Sequence, residues 1–210
     1  MTEPYQKKPF DFPQVPPRVD LKMSEIDEST LADKLKIWPV LWRDLLEEGK
    51  SIPAKSDLSM PKLAAILPNL IIFERLDAGD YTLRLVGTDV EAWMDRKITG
   101  ADPLSLVPEI QRPRVKAVYD NVIDQPCGFY ITEVLMLSRG KKARVTTLKL
   151  PLTDDQGIIR YFLAVYQFSD SEYVNTDSHL AAAEHHRVDH IGYIDIGFGV
   201  PVPLPGSSAS

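Results

Sequence analysis

The sequence predicts an α+β domain: a five-stranded antiparallel sheet with short helices on one face and an N-terminal amphipathic helix on the other. Three patterns lead there. Two short β-rich runs lie within residues 70–85, a helix-spaced segment lies near residues 113–125, and three strand-like runs fill residues 128–168. The last run is apolar on both sides, with Tyr161, Leu163 and Val165 on one and Phe162, Ala164, Tyr166 and Phe168 on the other. An antiparallel sheet with one wet face alternates more cleanly, so both faces of this sheet need a cover.

The elements follow in chain order. Pro4, Pro9, Pro13, Pro16 and Pro17 block helix at the start, so residues 1–28 read as a Pro-rich extended or disordered N-terminus. Residues 29–50 form the amphipathic helix: Leu31, Leu35, Trp38, Trp42 and Leu45 fall at steps of three and four and make one stripe. Thr30 and Asp33 have capping-box spacing and Gly49 offers a stop, while Pro39 leaves either one kinked helix or two short pieces. Two tryptophans on one stripe require burial, against the central domain as a lid or against a second subunit as a dimer face.

The central domain spans residues 51–170. Leu70 to Arg75 and the alternating Tyr81, Leu83 and Leu85 form a hairpin around Asp77-Ala-Gly79-Asp80. Gly87 ends the second strand, and Thr88 with Glu91 opens a short helix through Val90, Trp93 and Met94. Val115, Val118, Tyr119 and Val122 share a helix face, with Pro113 in the first turn. Strands over about 128–137, 142–151 and 158–168 then read as a meander, separated by Ser138-Arg-Gly140-Lys141 and Thr153-Asp-Asp-Gln-Gly157. Residues 171–210 are an acidic tail, in which Ile194, Ile196, Phe198 and Val200 make 191–200 an apolar docking segment for this domain, a twin subunit or a partner.

Composition excludes several classes. The 210-residue chain carries a net charge of −6, held by its ends: 8 basic against 10 acidic groups in residues 1–50, and 1 against 5 in residues 171–210. No basic field draws a nucleic acid or an anionic membrane. The apolar stretch Leu63 to Phe73 is about half the length of a spanning helix. One cysteine, Cys127, excludes an intramolecular disulfide and fits a cytoplasmic location.

Specific residues add a resemblance. The run Ser51-Ile-Pro53-Ala-Lys-Ser-Asp57, then Leu67-Pro-Asn-Leu70, then Tyr81-Thr-Leu-Arg-Leu-Val-Gly87-Thr88, resembles a bacterial family of PAS-type domains that stand nearly alone behind a Trp-containing helix. It covers about residues 38–168, and Tyr193 to Pro201 is similar to endings of some members. The resemblance implies a PAS fold and a sensory or regulatory role, with no reaction. The Asn-Cys-Arg motif of light-sensing flavin domains is missing from the sequence.

No catalytic set stands out. All four histidines lie in the tail, and His179, His186 and His190 share a helix face at metal-like spacing, although a solvated linker explains them without a metal. Arg139, Lys141, Lys142 and Arg144 read as a solvated turn or a docking surface for an acidic partner. The expectation is a cytoplasmic signalling module, not an enzyme, with no effector domain of its own, that binds a small ligand, a protein partner, or both. A homodimer is the expected assembly. Trp93, Val115, Tyr119 and Val122 are the candidate pocket lining, with no catalytic or metal site assigned and the cofactor open. The alternatives are a ligand-free homodimerising scaffold and an uncharacterised enzyme.

Overall fold

The computed structural model describes residues 33–47, 50–137, 141–173 and 187–201. Helix α1 (Asp33–Asp44) leads through a short α2 (Met60–Leu63) to β1 (Leu70–Arg75) and β2 (Tyr81–Val86). Helix α3 (Thr88–Met94), a 3₁₀ turn at Pro103–Leu106 and α4 (Arg112–Asp124) precede β3 (Gly128–Met136), β4 (Lys141–Thr153), β5 (Ile159–Tyr173) and β6 (Arg187–Ile194). The strand order is β2-β1-β5-β4-β3-β6, and every neighbouring pair is antiparallel.

The five expected strands are present, and the structure adds a sixth from the tail. Strand β6 pairs along β3, from Gly128 opposite Ile194 to Val134 opposite Arg187. The expected docking segment is therefore strand only up to Ile194. Beyond it the Asp195 carboxylate accepts from the amides of Gly197 (2.8 Å) and Gly199 (2.9 Å), and the chain turns while Ile196 stays fully buried. Tail residues escape a strand reading because Arg187, Asp189, His190 and Gly192 interrupt the apolar alternation, as suits an edge strand with one partner. Gly192 is needed where it stands: a Cβ there would lie 2.2 Å from the ring of Tyr130, its cross-strand neighbour.

Both faces of the sheet are covered. Leu163 and Val165 on one face of β5 and Phe162 and Ala164 on the other are all fully buried. Helix α1 packs on β4 and β5, with Leu35, Trp38, Pro39 and Trp42 buried. It is one helix through Pro39, and its Trp stripe, with Leu45, meets the chain's own sheet. Leu31 of that stripe and the Pro-rich segment 1–28 lie outside the described residues. The opposite face carries α3, the Pro103–Leu106 turn and α4, whose Val118, Tyr119, Val122 and Ile123 are buried.

One contact ties α1 to the sheet by more than apolar area. Pro151 has no N–H, and it lies past Lys149, the last β4 residue paired with β3. Its free carbonyl accepts from Trp42 Nε1 at 2.8 Å, fully buried. On the other side, Gly87 closes β2 against the Leu67–Asn69 turn, donating to Leu70 O at 2.7 Å. A Cβ at residue 87 would sit 2.3 Å from the Pro68 carbonyl oxygen.

Trp42→Phe keeps most of the buried area but leaves the Pro151 carbonyl unpaired, for an expected loss of about 1–3 kcal/mol. Gly87→Ala forces backbone apart and is expected to cost more. Urea unfolding checks both, as a lowered midpoint at an unchanged slope.

A buried lysine in the cavity between sheet and helices

A cavity of about 370 Å³ lies between the sheet and its helical cover. Ile71 and Phe73 of β1, Phe129, Ile131 and Glu133 of β3, Lys149 of β4 and Tyr166 of β5 form its floor. Val90 and Met94 of α3, Pro103 and Leu106, and Val115, Val118 and Tyr119 of α4 form its walls. The alternation of the strands builds the floor, because Phe129, Ile131 and Glu133 share one side of β3 and face Lys149 and its neighbours across the ladder. Ile191 of β6 reaches the same cavity, so the unforeseen strand extends its wall.

Two of the expected lining residues, Val115 and Tyr119, are on this wall, and two are elsewhere. Val122 is fully buried core. Trp93 lies outside the lining and stacks on Phe168 at 4.8 Å with the rings 8° apart, while the Lys141 ammonium sits 3.7 Å over its other contact region. The basic turn is partly engaged in this way, and Arg144 pairs with Asp189 of β6. Arg139 lies outside the described residues.

The group that the sequence reading passed over is Lys149. It is 5% exposed, and its Nζ lies 5.0, 4.9 and 4.7 Å from the ring centres of Phe73, Tyr119 and Phe129. Among the described residues, no carboxylate lies within ion-pair distance of Nζ and no acceptor takes a hydrogen bond from it. Three ring faces are a partial substitute for water around an ammonium. Burial pushes the Lys149 pKa down to about 8, with the charge of Glu133 acting the other way. Two residues along the same strand face, the fully buried Thr147 hydroxyl also lacks a partner among the described residues. Burial raises Tyr119 and Tyr166 above the ordinary phenol range, so both hydroxyls stay neutral. The signal for Lys149 was in the run Leu148-Lys149-Leu150-Pro151-Leu152, a single cation inside a strand apolar on both sides.

Other reactive residues are quieter. Cys127 is fully buried and its thiol is pushed up to about 12, far from a reactive thiolate. His190 lies in β6, stacked at 5.0 Å on Tyr130 and bonded through Nε2 to its hydroxyl. His179, His185 and His186 lie outside the described residues, and among the described residues no cluster of metal-ligating side chains occurs.

A lysine whose folded pKa lies below its unfolded value destabilises the fold while charged. That cost is present in full below about pH 8 and is relieved as the pH rises towards the usual 10.5. Lys149→Met is therefore expected to stabilise the protein near pH 7 by on the order of 1–3 kcal/mol. Thermal unfolding from pH 7 to 10 checks it, with the advantage shrinking as the pH rises; a variant less stable than the parent at pH 7 contradicts it.

Comparison with known proteins matches a family model of the PAS domain to residues 38–167. Among solved structures, the chain is similar to a light-oxygen-voltage domain studied with a flavin analogue, at 14% identity and a TM-score of 0.43 over 52% of this chain and 83% of that one. It is similar at 15% identity and a TM-score of 0.41 to the light-state LOV domain of the blue-light photoreceptor Aureochrome1, over 54% of this chain and 89% of that one. A third likeness, at 15% identity and a TM-score of 0.40, is to VqmA of Vibrio cholera in a ligand–DNA complex, over 53% of this chain and 51% of that one. No curated protein matches the chain. Among the described residues no helix is long and apolar enough to cross a membrane. The match to residues 38–167 takes in the hairpin, α3, α4 and the meander, and the chain belongs to the PAS domain family.

Proposed function

We propose that this chain is a PAS-type sensory or regulatory module that binds a small molecule in the cavity over β1, β3, β4 and β5. It transmits occupancy to a signalling partner in the cytoplasm, itself working as a homodimer. The cavity carries the reading. Its volume of about 370 Å³ is at the small end of the range for metabolite sites, and its walls are mostly apolar with few polar groups. The family supports a sensory role in general.

The proposal is of a binding module and not an enzyme: the cavity sets three charged groups, Lys149, Glu133 and Arg114, and neutral phenols in a mostly apolar lining, with no histidine or cysteine among its described lining residues. Signalling of this kind needs two states of the protein with different affinity for the ligand. The moving part is the helical cover: α3 and the Pro103–Leu106 turn touch the sheet across the cavity, and a ligand there changes what they rest on. The described part of the α1 stripe, Leu35, Trp38 and Trp42, is already buried on the chain's own sheet and is not free for a second subunit. A dimer accordingly uses another surface.

Native mass spectrometry of the protein purified from its own cells tests the reading, followed by denaturation of the same sample. The expected result is a small-molecule mass excess that disappears on denaturing. Val115→Trp, which projects a larger side chain from α4 into the cavity, is expected to lose the excess while keeping its circular dichroism. A clean protein mass in the unmodified chain overturns the ligand reading in favour of a ligand-free scaffold.

A further inference from the structure

One buried amine in a mostly apolar lining narrows the chemistry of the occupant. Lys149 is the central observation: an amine 5% exposed, at the cavity floor, which among the described residues has neither an ion-pair partner nor a hydrogen-bond acceptor, the Glu133 carboxylate acting on it only from farther along the floor. A buried cation is costly unless something pairs with it. The three surrounding rings, all about 5 Å from Nζ, lower that cost without saturating the three N–H donors. A purely structural lysine in a strand would carry its ammonium out to solvent along its own stem. Here the strand register places Lys149 opposite Phe129 and Ala164, on a strand paired on both sides, and its ammonium stays among the three rings.

Phe73, Tyr119 and Phe129 crowd that ammonium, tilted against one another, and the rest of the lining is mostly aliphatic, with Leu83, Val90, Ile98, Val115 and Ile131 among it. The geometry points to a specific ligand class: a small, mostly apolar molecule bearing one carboxylate, its anion paired with Lys149 and its body held against the apolar lining. This deepens the proposed function and rests on that reading of the cavity.

A carboxylate at Nζ accepts charge-assisted hydrogen bonds from an ammonium buried at the cavity floor. The neutral tyrosines beside it remain donors and do not repel an anion. Glu133 of β3 also lines the cavity, and it disfavours a second negative charge on the ligand. A monoanion fits this balance better than a dianion.

The test uses the full chain and two probes that differ only in charge, naphthalene-2-carboxylate and naphthalene-2-carboxamide, with affinity read by calorimetry at pH 7. The parent protein is expected to prefer the carboxylate by about tenfold or more. Lys149→Met is expected to abolish that preference while leaving carboxamide affinity within about twofold, and Lys149→Arg to retain part of it.

A pH series on the unmodified protein gives a readout independent of any variant. The groups sharing the cavity with Lys149 are Glu133 of β3, Arg114 and Tyr119 of α4 and Tyr166 of β5, while α3 and the Pro103–Leu106 turn contribute only uncharged lining. As Lys149 loses its proton above about pH 8, carboxylate affinity is expected to fall by up to about tenfold per pH unit and carboxamide affinity to stay level. Equal affinity for the two probes overturns the anion class, a carboxylate preference that survives in Lys149→Met overturns the pairing with Lys149 and assigns it to Arg114, and both leave the cavity reading standing. Binding of neither probe also overturns the class, and the native mass of the purified protein then decides separately whether the cavity is a ligand site at all.

Discussion

Strands β4 and β5 are apolar on both faces, and that constraint organises the rest of the molecule. A sheet built around them cannot leave either side wet, so α1 is recruited to one face and α3 with α4 to the other. The two covers differ in kind. The α1 side is filled, with Trp38 and Trp42 fully buried and one indole hydrogen-bonded to Pro151. The α3–α4 side is incompletely filled, and the space left over is the cavity. One layer is therefore packed solid and the other keeps a cavity.

Lys149 sits at the least stabilising position available to it. Replacing a charge in such a place by an apolar side chain is the simple route to a more stable domain, and this chain has not taken it. Local rules of patterning are broken at positions where another requirement competes with stability. The Thr147 hydroxyl, two residues away on the same strand face but outside the cavity lining, also lacks a partner among the described residues. By contrast, the perturbed Cys127 thiol carries no such tension: it is buried and held neutral in packed core.

Strand β6 links the tail to this site. It completes β3 on its outer side, places Ile191 in the cavity wall and ends in the Asp195 turn, where the Gln125 side-chain amide donates to Phe198 O at 3.4 Å. Because β3 carries Phe129, Ile131 and Glu133 into the cavity, whatever stabilises β6 also holds the floor in place. The edge pairing and the cavity are thus one mechanical unit, with Tyr130 folded over Gly192 as its pin.

What the sequence by itself determined was everything local. The period of Leu35, Trp38 and Trp42, the turn residues around Gly79, the Gly87 stop and the helix face of Val118, Tyr119 and Val122 all report on neighbours a few residues away, and these elements are present, although α1 ends at Asp44 short of residue 50 and α3 begins after Gly87 without the expected Thr88 side-chain cap. The need for two covers was equally legible, because apolar residues on both sides of β5 can be counted without knowing what meets them. Tertiary structure alone decided three matters. It decided that the Trp stripe covers its own sheet, since a stripe records the need for burial but not the partner. It brought β6 beside β3, a pairing between segments about 60 residues apart: the apolar run 191–200 announced a docking segment, but its pattern named neither the strand it meets nor the register. It also placed Lys149 among Phe73, Tyr119 and Phe129, which come from three separate elements; only the register of β4 against its neighbours turns an ordinary strand lysine into a buried one.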